Sequence, residues 1–173
     1  MLSKKMEKAL VEQINAELYA SYLYFAMASD LEAKGYAGTS NWMKAQAQEE
    51  IGHAMRIYNY VNERGGKAEM KQIDEPKNEW KNLQEVFEDS LEHEKKITKM
   101  INDLMDLAIE EKDHATKSFL NWYVDEQVEE EDSMNEVLDK LEMVKDSKNG
   151  LYNIDKELGG RQKKCEFVPE EEE

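Results

Sequence analysis

The chain has 173 residues, with 39 acidic and 23 basic side chains and a net charge of −16. That acidity disfavours nucleic acid and anionic membranes as partners, since both call for a basic face, and it favours cations. A chain of this length buries a core as one domain, and only 8 Gly and 2 Pro argue for long, uninterrupted helices. The single cysteine, Cys165, supports neither a disulfide framework nor a cysteine-based metal site. The residues after Met1 lack the apolar core of a signal peptide, and no apolar run reaches membrane length, so a cytoplasmic protein is expected.

From about Ser3 to Lys34, a helical stripe runs through Leu10, Ile14, Leu18, Ser21, Phe25, Ala28 and Leu31, with Glu17 inside it. Gly35 and Gly38 break this helix, and Thr39 or Ser40 is suited to cap the next. The second helix extends to about Arg64, with Trp42, Gln46, Glu49, Glu50, His53, Ile57, Tyr60 and Val61 along one side. Gly65 and Gly66 end it. An irregular stretch containing Pro76 follows. Asn82 and Glu85 then have the spacing of a capping box. The third helix carries Val86, Phe87, Leu91, Glu94, Ile97, Ile101, Leu104, Met105 and Ala108. After a turn at Lys112 and Asp113, the fourth carries Phe119, Tyr123, Gln127, Glu130, Met134, Val137, Leu141 and Val144. A short fifth helix is expected from Lys148 to Leu158. The domain is expected to span residues 1–160, with 161–173 as a flexible acidic tail.

Loop lengths suggest the topology. Short first–second and third–fourth connections make each pair antiparallel neighbours. The connection between the second and third helices is about 18 residues long and reaches roughly 60 Å when extended. A helix of about 25 residues is only about 38 Å long. The connection therefore returns the chain to the end where the second helix began. The expected fold is all-α, a four-helix bundle with one long crossover and a short fifth helix.

Four acids occupy inward positions, one per helix: Glu17, Glu50, Glu94 and Glu130. Counted from the end holding the first loop, they lie about 17, 10, 11 and 13 residues down, a spread of about 10 Å. His53 follows Glu50 by one turn on the same face. Unpaired carboxylates do not enter a helix core, because desolvation costs several kcal/mol or more per charge. Four at one level beside one imidazole call for a cation. Oxygen-rich ligands suit a hard, multiply charged metal such as iron. Glu50 is placed to bridge two metals, with Glu17 and His53 completing one and Glu94 and Glu130 the other. Gln127, one turn before Glu130, suits a weak ligand or a hydrogen-bond donor behind the ligands.

With these motifs the chain resembles a non-haem ferritin of the bacterial and archaeal type. The resemblance covers about residues 3 to 160. It is carried by Gln13 to Glu17, Tyr19 to Tyr24, Glu49 to Ala54, Glu92 to Glu94, Asn121 to Gln127 with Glu129 and Glu130, and Leu151 to Leu158. It implies a ferritin-like bundle that oxidises Fe2+ with O2 and stores Fe3+ as a hydrated ferric oxide inside a hollow shell of 24 identical subunits. It implies two irons per subunit, the first held by Glu17, Glu50 and His53, the second by Glu50, Glu94 and Glu130, with Gln127 beside the second. It also implies a third iron at Glu49, Glu126 and Glu129, for which a solvated helix edge is the alternative. Tyr24 and Trp122 match aromatics beside the iron pair, with ordinary core packing as the alternative. Ser133 stands where a second Glu-x-x-His would place histidine, and Ile51 stands where a haem-ligating methionine would, so no haem is expected. His93 and His114 match no ligand and are expected at the surface. Competing classes are a di-iron oxygenase or peroxidase, a DNA-protecting mini-ferritin, which the charge disfavours, and a helical interaction protein without chemistry.

Overall fold

The computed structural model describes residues 1–145 and 147–161. Cys165 and the expected tail beyond Arg161 lie outside the described residues. Five helices and no strand form among the described residues: α1 Lys4–Ala33, α2 Ala37–Glu63, α3 Leu83–Glu110, α4 His114–Val144 and α5 Lys148–Leu158. None is long and apolar enough to cross a membrane.

Local chemistry sets the boundaries. Ser3 accepts from Met6 N at 3.0 Å, and Asn82 accepts from Glu85 N at 2.9 Å, so each helix start gains a side-chain acceptor for an orphan N–H. The return arm of the capping box is displaced by one residue, because Glu85 accepts from Lys81 N at 2.7 Å rather than from Asn82. Gly35 ends α1 at φ +86° and Gly65 ends α2 at φ +75°, each at the left-handed position of a C-terminal motif. Neither Thr39 nor Ser40 caps α2. That helix begins at Ala37, and its free N–H groups at Gly38 and Thr39 instead donate to Asp155 of α5, at 3.2 and 2.8 Å.

Contacts at the two ends fix the topology. Ser3 Oγ donates to Glu111 Oε1 at 2.8 Å, and Arg64 pairs with Asp113 at 3.1 Å, so the start of α1, the end of α2 and the α3–α4 turn share one end. At the other end, Trp80 N donates to Asp30 Oδ2 at 3.2 Å, and Lys34 reaches the Trp80 carbonyl. The crossover thus runs the length of the bundle, and Asn15 Nδ2 holds it midway by donating to Gln72 O at 3.0 Å.

The core divides into two apolar clusters. One holds Leu23, Tyr24, Met27, Met43, Ala47, Phe87, Met134 and Val137. The other holds Leu10, Ile14, Ala54, Ile57, Ile97, Ile101, Leu120 and Tyr123. Along every long helix, the residues between the two sets are polar and buried: Glu17, Glu50 with His53, Glu94, and Gln127 with Glu130. One polar layer therefore crosses the bundle between two apolar clusters. On α1 the inward stripe differs from the expected one. Phe25 is 41% exposed and Leu18 is half-buried, whereas Tyr24 and Met27 are fully enclosed. Each helical residue turns the face by about 100°, so a stripe followed at wide spacing ends one residue off.

Candidate metal centre

Glu17, Glu50 and Glu94 are each 1% exposed, His53 4% and Glu130 5%. The structure brings all five into the polar layer. Glu17, Glu50 and His53 offer ligand atoms within 4.8 Å of one another, and so do His53, Glu126 and Glu130. His53 Nδ1 donates to Glu50 Oε2 at 3.1 Å, and its Nε2 lies 3.8 Å from Glu126 Oε1. Tyr123 donates to the His53 carbonyl at 2.8 Å, and Trp122 meets the imidazole edge-on at 5.3 Å.

Three glutamine amides brace the carboxylates. Gln13 Nε2 donates to Glu17 Oε1 at 2.9 Å. Gln46 Nε2 donates to both Glu50 Oε1 at 3.0 Å and Glu130 Oε2 at 2.6 Å. Gln127 Nε2 donates to Glu94 Oε2 at 3.2 Å, with the Glu94 carbonyl and Thr98 Oγ1 each at 3.3 Å. Tyr24, wholly enclosed, donates its hydroxyl to Glu94 Oε1. Gln127 is thus a hydrogen-bond donor to Glu94 in this structure. The sequence alone assigns Gln13 and Gln46 no role, although each precedes a centre carboxylate by one turn, as Gln127 does relative to nearby Glu130.

The electrostatics are those of an uncompensated cluster. Burial, reinforced by the charge of Glu50, pushes Glu17 up to about 8 and Glu130 up to about 8. Burial, with Glu50 and Glu130, pushes Glu94 well above the usual carboxylate range. Glu50 behaves oppositely. Burial opposes its ionisation, but the His53 charge and the bonds from His53 and Gln46 hold it below the ordinary value. Burial works against a charged His53, yet Glu50, Glu17 and Glu130 outweigh it and raise the imidazole to about 10. Two oxygens in this layer, Glu17 Oε2 and Gln13 Oε1, are buried without a hydrogen-bond partner. Orphaned acceptors and reluctant carboxylates together fit a cation bound among them.

The remaining expected positions are less uniform. Glu49 is turned toward Arg161, with which it forms an ion pair. Glu126 faces His53, and Glu129 is exposed. Glu49, Glu126 and Glu129 do not form one of the compact ligand groups among the described residues. His114 is exposed as expected, but His93 is not a surface residue. It is half-buried against Tyr19 at 5.6 Å, its Nε2 is shielded and unpartnered, and burial lowers its pKa. The neighbouring α1 face encloses it, which its own helix pattern does not reveal.

A four-helix bundle cut by one layer of acids and a single imidazole defines the class of carboxylate-rich helical metalloproteins. Within that class the chain belongs to the ferritin family: a ferritin-like domain matches residues 7–144. The bacterial non-heme ferritin of Staphylococcus aureus is 42% identical over 161 residues, covering 93% of this chain and 97% of that protein. The corresponding protein of Staphylococcus haemolyticus is 44% identical over 161 residues. A crystal structure of an open pore ferritin from the hyperthermophilic archaeon Archaeoglobus fulgidus superposes with a TM-score of 0.93 at 47% identity, covering 94% of this chain and 100% of that one.

Proposed function

We propose that this protein stores iron by oxidising Fe2+ with O2 at the polar layer and holding the Fe3+ product as a hydrated ferric oxide mineral inside a shell of 24 copies. The observation that carries the reading is the buried set Glu17, Glu50, His53, Glu94 and Glu130 with an orphaned Glu17 oxygen among them. Membership of the ferritin family supports it. We place this chemistry in the cytoplasm, where reduced iron needs a sink.

Iron is substrate and cargo here. Glu50, on the helix between Glu17 and Glu130, bridges two Fe2+. Glu17 and His53 complete one position, and Glu94 and Glu130 the other. Each of the two ions gives one electron to O2, which is reduced to the peroxide level and takes up two protons, while hydrolysis of the Fe3+ to the hydrated oxide releases protons. Carboxylate oxygens gain more from the harder Fe3+ than from Fe2+, so the ligand set favours oxidation. Gln13, Gln46, Gln127 and Tyr24 hold the carboxylates in place by hydrogen bonds, and Gln127 stays a donor to Glu94 rather than a ligand. A third iron passes beside the Nε2 side of His53, where Glu126 and Glu130 come together, and Glu49 and Glu129 complete its ligands.

Glu17→Ala and His53→Ala test the assignment. Each variant is expected to slow the initial rate of Fe2+ oxidation in air by about a hundredfold or more, because each removes a ligand from the first position. Helical content is expected to stay near that of the parent. An unchanged initial rate in either variant would reject these residues as iron ligands.

A further inference from the structure

Arg161 follows α5, yet its side chain reaches the edge of the polar layer. Four contacts fix it. Asn41 Nδ2 donates to its carbonyl at 3.3 Å, and its guanidinium lies 4.4 Å from the Trp42 ring centroid. Nη1 donates to Gln46 Oε1 at 2.7 Å, and Nη2 donates to Glu49. Gln46 carries the contact inward, because the same amide donates to Glu50 and Glu130. With its oxygen held by a guanidinium, that amide presents only N–H to the two carboxylates. Glu49 and Arg161 both act on Glu130 from this side, with opposite sign, behind the larger effects of burial, Glu50 and His53. The guanidinium brings a positive charge to this edge of the layer.

We propose that Arg161 is a tethered counter-cation of the centre: it holds Glu49 in place of a metal ion, so a further divalent cation at Glu49 and Glu130 binds only by displacing it. The inference rests on the metal-centre reading. It sets an order of filling. The Glu17–Glu50–His53 group makes no direct contact with the guanidinium, which reaches Glu50 only through Gln46, and it fills first. The Glu49 side fills last, because the incoming ion competes with a charge already paired there. Arg161 is a positioning residue for Gln46 and a competitor at Glu49; it is not itself a ligand.

The test is an anaerobic titration of metal-free, full-length protein with Co2+, a divalent probe stable to oxidation, followed by calorimetry and visible absorption. Arg161→Gln is expected to tighten the weakest Co2+ by about tenfold, because an opposing charge is removed. Arg161→Lys keeps the charge and is expected to stay within about threefold of the parent. Adding Glu49→Gln to Arg161→Gln is expected to abolish the gain. A partly unfolded variant binds metal more weakly, so tightening separates this role from a structural one. Unchanged or weaker binding of that Co2+ in Arg161→Gln would overturn the inference, as would a gain that survives Glu49→Gln. If the parent binds no Co2+ tightly, the metal-centre reading itself fails. If it binds a tight pair and Arg161→Gln changes nothing, this inference alone fails.

Discussion

Without metal, Glu50 and His53 form an ion pair inside the bundle, while burial and the Glu50 charge keep Glu17 and Glu130 protonated up to about 8. Binding of cations at neutral pH therefore expels protons from Glu17, Glu130 and His53. Release of about three or more protons per chain is expected when Zn2+ is added to weakly buffered metal-free protein with a pH indicator. Release near zero would contradict this charge state. The same shifts govern stability. Glu17 and Glu130 titrate higher in the folded state than the ordinary 4.5, and His53 higher than 6.5, so what they contribute is full below the unfolded values. It is lost as pH rises through about 8 for the acids and about 10 for the imidazole. Glu50 has the opposite sign, and its contribution is lost on acidification. Thermal unfolding of metal-free protein between pH 5 and about 8 should show this decline, and Glu17→Gln should flatten it, since Gln keeps the neutral form at every pH.

At the scale of elements, α5 is joined to the bundle through one close approach. A Cβ at Gly38 would lie 1.8 Å from the Asp155 carbonyl oxygen, so only glycine lets α5 meet the start of α2 there. Asp155 in return caps α2. Gly38→Ala is expected to detach α5 at a cost of about 1–3 kcal/mol, leaving α1 to α4 folded. Amide exchange checks this: protection should fall over Leu151–Leu158 and persist at Ile57 and Ile101, and retained α5 protection would contradict it. These elements also show what the chain's pattern makes legible. Glu17, Glu50, His53, Glu94 and Glu130 were readable because uninterrupted helices convert spacing into face and level. Asp155 as a cap for α2, and Arg161 at Gln46, were not. Those contacts join residues more than a hundred positions apart, and no local periodicity encodes them. His93, enclosed by Tyr19 of α1, is likewise hidden from the periodicity of its own helix, and Phe25 lies one position, a turn of about 100°, off the inward face.

For the whole molecule, the polar layer is one level within a chain that also presents Tyr22 and Phe25 on α1 and Tyr152 on α5, 52%, 41% and 68% exposed. A shell of copies, as proposed above, would cover outward apolar side chains such as these and turn one oxidation site per chain into a store. An oxygenase or peroxidase with the same five ligands would keep its metal and accumulate none, so retained iron separates storage from such an enzyme. Excess Fe2+ is added in air to the metal-free protein, unbound iron is removed, and the iron retained per chain is measured. Storage predicts ferric mineral far beyond the roughly three ions per chain that carboxylate sites can hold. Retention of only about two or three per chain would contradict it.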